Sequence, residues 1–216
     1  MKKIGIEING VLRDTISKFT QLYEKHMIEE KEDESKTFEL DLSGNTKELV
    51  SKEEFEYKIL SDVTSLNLMN HFRFNDDNEL YSFMYEDFAM QLFGHAGSTE
   101  TFTFNTLNNI YLKYRDNNEL IIVSDEMGKS KPASLFFLSK FGCQLEKVKF
   151  YSNSTINSMW SEIDILLTSN PMLLLNKPKD KIVVKYSTIY NKNVDCDNVI
   201  NTLEEFDEVL QKLNVC

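Results

Sequence analysis

The stretch KIGIEINGVLRDT at residues 3–15 holds the side chains best placed to do chemistry. Residues 3–8 alternate toward a short apolar strand. Asn9-Gly10 breaks it, and residues 11–19 restart with helical spacing, with Asp14 near the start. A strand, a tight glycine turn and a helix opening in succession is where a doubly wound sheet sets its site. Glu7 brings a carboxylate to that turn, a group able to act as a nucleophile or a cation ligand. Asn9 brings an amide, which cannot transfer a proton, and general acid–base help is worth about 10²–10⁴-fold where an enzyme uses it.

The wording of this stretch resembles the first motif of the haloacid dehalogenase (HAD) superfamily, commonly Asp-x-Asp-Gly-Val-Leu-x-Asp-Thr. The two agree at Gly10, Val11, Leu12, Asp14 and Thr15. They differ at the two acids, where this chain has Glu7 and Asn9. The resemblance runs through much of the chain outside residues 30–103 and is closest to the 5′(3′)-deoxyribonucleotidase branch. It implies an attacking acid at Glu7, a general acid–base at Asn9 and a phosphate-binding turn at Gly10. Ser124, ending the run ELIIVS, falls where the family binds a phosphoryl oxygen, although a serine that merely caps the next turn reads equally well. The family also needs a lysine to offset charge and acids to hold magnesium. No lysine or arginine lies between residues 150 and 163, which leaves Lys131 as the candidate. In DILLTSNP, Thr168 and Ser169 stand where paired acids are expected, and both are weak magnesium ligands. The family's later Pro/Ser-Tyr-Asn stretch appears as Thr188-Ile189-Tyr190-Asn191. Glu7 also carries its carboxylate one methylene further out, and a displacement of about 1 Å can cost roughly 100-fold. These departures together imply a disabled site.

The elements that must position these residues follow from apolar runs. Strands are expected at 3–8, 119–124, 147–151, 163–168 and 181–186. Helices are expected at 104–114, at 133–141 with Leu135, Leu138 and Phe141 on one face, and at 202–213. This alternation predicts an α/β, Rossmannoid three-layer fold with a central parallel sheet and the first strand at or near its centre. Residues 30–103 differ: rich in Phe, Tyr, Asn and Glu, they carry helical segments near 52–60 and 77–92, with Tyr81, Tyr85, Phe88 and Leu92 as a packing face. The expected organisation is a core of residues 1–29 and 104–216 with 30–103 inserted as a mostly helical cap. Gly94–Ser98 (GHAGS) is the return point, and the cap is expected over the sheet end that holds Glu7 and Ser124.

Composition narrows the classes further. A net charge of −11 works against a nucleic-acid backbone as partner. Cys143, Cys196 and Cys216 are widely spaced and odd in number, so neither a disulfide framework nor a zinc site is indicated. No apolar run is long enough to span a membrane and the start lacks a signal-peptide core, so a soluble cytoplasmic chain is expected, in host cytoplasm or virion if viral. Abundant Asn, Lys, Ile and Phe suit an AT-rich bacterial or phage genome. His26, His71 and His95 are scattered, and Met159 and Trp160 are expected to pack. Asp125 and Glu126, following Ser124, either face the cleft as substitute metal ligands or form a solvated loop.

Two functional readings follow. One is a pseudoenzyme whose degenerate cleft serves protein interaction, self-association, assembly or small-ligand binding, without a cofactor. The other is a magnesium-dependent phosphohydrolase acting on nucleotides or small phosphate esters, with Glu7 as the altered nucleophile or metal ligand.

Overall fold

The apolar runs form a single parallel sheet in the computed structural model, which describes residues 1–29, 36–40, 46–50 and 59–215. Its strands are β1 (Lys3–Glu7), β4 (Glu119–Ser124), β5 (Lys147–Phe150), β6 (Ile165–Thr168), β7 (Ile182–Tyr186) and β8 (Asn198–Ile200). They lie in the order β5-β4-β1-β6-β7-β8, all parallel, so β1 is internal with β4 and β6 as neighbours. The intervening strands β2 (Lys36–Leu40) and β3 (Thr46–Val50) pair separately as an antiparallel hairpin. KTFEL and TKELV are too polar for an apolar-run reading to have announced them. The helical segment expected near 52–60 falls mostly outside the described residues.

Strand periodicity divides the side chains between two faces. Ile4, Ile6, Leu120, Ile122, Ile165 and Leu167 pack beneath helices α3 (Thr103–Tyr114), α4 (Ser130–Lys140) and α7 (Glu204–Lys212). Ile121, Val123, Leu166 and Val183 face the opposite way, against α5 (Ile156–Ser161) and α6 (Pro171–Leu175), with Met159 and Trp160 buried there. Gly5 lies on this second face, where an added methyl would crowd Ile163 and Leu166. A third cluster joins Phe19, Leu22 and Tyr23 of α1 (Thr15–Tyr23) to Leu68, Phe72, Phe74, Phe83, Leu92 and Phe93. The short helix α2 (Asp77–Tyr81) is followed by two wider turns, Ser82–Asp87 and Met90–Gly94, instead of one helix over 77–92. Of the expected packing face, Leu92 is buried, Tyr85 and Phe88 are half-buried, and Tyr81 is exposed.

Helix α4 departs from its expected face as well. Ala133, Phe137 and Leu138 are buried, whereas Leu135 is 47 % exposed. Its apolar residues are spread around the axis without a single stripe, so spacing alone could not choose its buried side.

The turn after β1 depends on Gly10, whose φ is +71°. A Cβ there would overlap the Tyr190 hydroxyl and Ser169 Oγ. Gly128 also has positive φ (+53°), but open space surrounds it. Gly128→Ala is expected to cost only the left-handed backbone penalty of about 1–2 kcal/mol. Gly10→Ala adds a collision and is expected to cost more than about 2 kcal/mol. Urea unfolding of the two variants checks the difference, and equal losses would mean that the turn tolerates the extra carbon.

Candidate functional site

Glu7 ends β1 and is almost wholly buried, beside Thr168 at the end of β6. The Thr168 hydroxyl donates to Glu7 Oε2, the Tyr151 hydroxyl donates to Oε1 at 3.2 Å, and the Ser169 amide bonds the same carboxyl. These donors favour the ionised form. Burial outweighs them, and with the charge of Asp125 it pushes the Glu7 carboxyl up to about 8. The same environment pushes the Tyr151 hydroxyl upward.

Asn9 sits two residues on and joins a second network. Its amide nitrogen donates to Asp125 Oδ1 at 3.0 Å and to Glu126 Oε1 at 2.9 Å. Its amide oxygen accepts from Arg13 Nε (3.1 Å), Arg13 Nη2 (2.6 Å) and the Thr15 hydroxyl (2.7 Å). Arg13 is completely buried and pairs with Glu126 through Nη2. Its Nη1 donates to the Phe93 carbonyl and to Ser134 Oγ, each at 2.8 Å. The guanidinium lies over the rings of Phe93 and Phe137, 5.0 and 5.3 Å from their centroids. Burial pushes Glu126 up while the guanidinium charge acts against it, and an arginine in this setting stays protonated.

Ser169 completes the turn. Its hydroxyl donates to the Asn9 carbonyl at 3.0 Å and accepts from the Tyr190 hydroxyl at 2.9 Å. Asn191 donates to the Ser169 and Tyr186 carbonyls. The stretch Thr188–Asn191 thus comes to the Gly10 turn.

A cavity of about 170 Å³ opens beside this array. Glu7, Asn9, Gly10, Asp125, Ser169 and Asn170 line one end, and Phe19, Leu66, Leu68, Met84 and Phe93 line the other. Tyr85 and Tyr190 stand on its walls. The described part of the 30–103 segment therefore meets the sheet end that carries Glu7.

The remaining candidates lie elsewhere. Ser124 is buried at the end of β4, with no hydrogen-bond partner for its Oγ among the described residues, and it does not line the cavity. Alternation sets it on the face of Leu120 and Ile122, away from Val123, the residue paired with Glu7. Lys131 does not line the cavity either: it is exposed, with its ammonium 5.6 Å from the Phe150 ring centre. Thr168 and Ser169 serve as hydroxyl donors to Glu7 and to the turn. Asp125 and Glu126 do enter the site, the first on the cavity wall and the other as partner of Arg13. His71 is held by Ser61 and Ser65, His26 stacks on Phe88, and His95 lies against Phe136. Sequence reasoning passed over Arg13 and Tyr151. Arg13 sits at the variable position of the motif, and Tyr151 reads from the sequence as no more than the end of a strand.

Beyond Asp125, the donor set offers magnesium little. Both Glu7 oxygens accept from hydroxyls, the Asn9 oxygen is saturated, and positions 168 and 169 are neutral. Among the described residues no group of three or more His, Cys, Asp or Glu side chains could hold a metal ion.

The raised Glu7 value has a sign that can be read in stability. An unfolded chain loses this proton near 4.5, whereas the folded chain keeps it to about 8. Stability from this group is full below 4.5 and falls as pH rises to about 8, then levels off. The loss is on the order of a few kcal/mol. Glu7→Gln, which cannot ionise, is expected to gain on the unmodified chain through that window and to differ least below it. Urea titrations at several pH values check this, and a constant difference would place the Glu7 carboxyl near its ordinary value.

No protein-family model matches this sequence, and no curated protein does. Solved structures do. A protein described as a haloacid dehalogenase-like hydrolase, from Burkholderia xenovorans LB400, superposes with a TM-score of 0.60 at 10 % identity, over 99 % of this chain and 98 % of its own. A dehalogenase crystallised with an intermediate complex gives a TM-score of 0.52 at 13 % identity, over 97 % and 96 %. Among the described residues no helix is long and apolar enough to cross a membrane. The parallel sheet with its helical layers is the fold of HAD-like hydrolases.

Proposed function

We propose that this chain is a HAD-fold protein without magnesium-dependent phosphoryl transfer, working as a pseudoenzyme that holds a small ligand in the cavity beside Glu7. Residues 30–103 act as the cap over residues 1–29 and 104–216. The observation that carries this reading is the engagement of Asn9. Where a phosphatase of this fold needs a proton carrier, this chain has an amide whose oxygen and nitrogen both link Arg13, Thr15, Asp125 and Glu126. A group so committed neither carries a proton nor turns toward a substrate. The donor set around Glu7 adds to this, since hydroxyls aimed at a carboxylate occupy the lone pairs that a cation would need.

One observation favours the hydrolase reading instead. A buried carboxyl raised to about 8 in a cavity is a frequent sign of a working acid or base. Activity separates the two. Purified protein is expected to show no magnesium-dependent hydrolysis of p-nitrophenyl phosphate or of deoxynucleoside monophosphates. Glu7→Asp with Asn9→Asp is expected not to restore it, because the cation site remains incomplete. Adding Thr168→Asp and Ser169→Asp is the informative next step. Robust turnover by the unmodified chain, abolished in Glu7→Gln, would make the enzyme reading the better one.

A further inference from the structure

Most side-chain donors at the polar end of the cavity are already spent, the Asn170 amide nitrogen and the Tyr85 hydroxyl being the exceptions. The Ser169 hydroxyl is spent on the Asn9 carbonyl, the Tyr190 hydroxyl on Ser169, and the Thr15 hydroxyl on Asn9 Oδ1. The Asn9 amide hydrogens go to Asp125 and Glu126. Two acids, Glu7 and Asp125, line the cavity, and no Lys, Arg or His does among the described residues. Arg13 lies behind the wall, but a guanidinium has five N–H groups. All five are taken by Asn9, Phe93, Ser134 and Glu126. A phosphate or carboxylate entering here would meet Asp125 with no free cation to offset it.

The opposite charge fits. An ammonium offers three donors and no acceptor, which complements an end where Asp125 supplies the charge and Glu7 stands beside it as a neutral carboxyl. The aromatic rings of Phe19, Tyr85, Phe93 and Tyr190 line the same space, and such rings suit an apolar body. Size limits the body: an apolar cavity of about 150 Å³ holds one benzene molecule, and this one measures about 170 Å³. We propose that the cavity binds a small organic cation, a primary ammonium on an apolar body about the size of one aromatic ring. This deepens the reading of the cavity as a ligand site without phosphoryl transfer, and it rests on that reading.

The test uses the full chain and three probes of similar shape: 2-phenylethylammonium, 2-phenylethanol and phenylacetate, with inorganic phosphate as a fourth. Calorimetry or amide-resonance titration measures each. The ammonium is expected to bind at least about tenfold tighter than the alcohol, with phenylacetate and phosphate giving no saturable binding. Asp125→Asn keeps an acceptor for Asn9 and is expected to weaken the ammonium about tenfold while leaving the alcohol unchanged. Asp125→Glu, with the charge restored, is expected to recover most of the loss, which guards against a general folding defect. The proposal is overturned if the ammonium does not saturate, if Asp125→Asn leaves its affinity intact, or if either anion binds as tightly. An inert chain that binds an anion would overturn the cation assignment alone. A chain that hydrolyses phosphate esters would overturn the reading beneath it.

Discussion

A fully buried guanidinium is the constraint on which the site depends. Taking Arg13 out of water costs several kcal/mol, and the chain recovers this only if every N–H finds an acceptor and a carboxylate offsets the charge. Those acceptors come from five places: Asn9 after β1, Thr15 at the start of α1, Glu126 after β4, Ser134 in α4, and the Phe93 carbonyl. The residue type at position 9 follows. It must offer an oxygen to Arg13 and hydrogens to Asp125 and Glu126, and only an amide does both. A carboxylic acid there would set a third negative group against those two. Asn9 is therefore a residue type that the surrounding charges favour.

Glu7 belongs to a different arrangement on the other side of the turn. Alternation along β1 places it with Gly5 on the face covered by α5 and α6, and Thr168 ends the neighbouring strand β6. Tyr151 reaches the same carboxyl from beyond β5. The two networks meet through Asp125, which accepts from Asn9 and raises Glu7 by its charge. The chemistry that remains is that of an acidic site most of whose donors are turned inward to hold it together.

Much of the fold was legible because a parallel sheet is buried on both faces. ELIIVS, IDILLT and KIVVKY could be read as strands without knowing their partners. β8 escaped because it is three residues long at the sheet edge, where burial demands little of the sequence. The site was legible where backbone geometry required a residue type, at Gly10, and where a strand end put Glu7 at the turn. It was not legible where a side chain acts at long range. Nothing in GVLRDT says that its arginine is buried, since Arg13 meets partners 80 to 121 residues away. Ser124 misled for a related reason: its place at the strand end was right, but the face on which its side chain lies depends on register.

The same guanidinium also fixes how the chain returns from residues 59–94. Beside its bond to the Phe93 carbonyl, the Asp14 amide donates to the Gly97 carbonyl, the Thr99 amide to the Leu12 carbonyl, and the Thr99 hydroxyl to the Val11 carbonyl. The motif turn and the return point are thus one piece of structure. Rotating this return away from the turn would break all four bonds, each with a net worth of about 0.5–1.5 kcal/mol and more for the charged one. The cavity wall formed by Phe93 is held in place by the same residues that spend Asn9 as a linker. A phosphoryl-transfer enzyme that closes and opens around each substrate would be slowed by such a clamp. For a binding site the clamp is favourable, because a wall already in place loses little entropy when the ligand arrives.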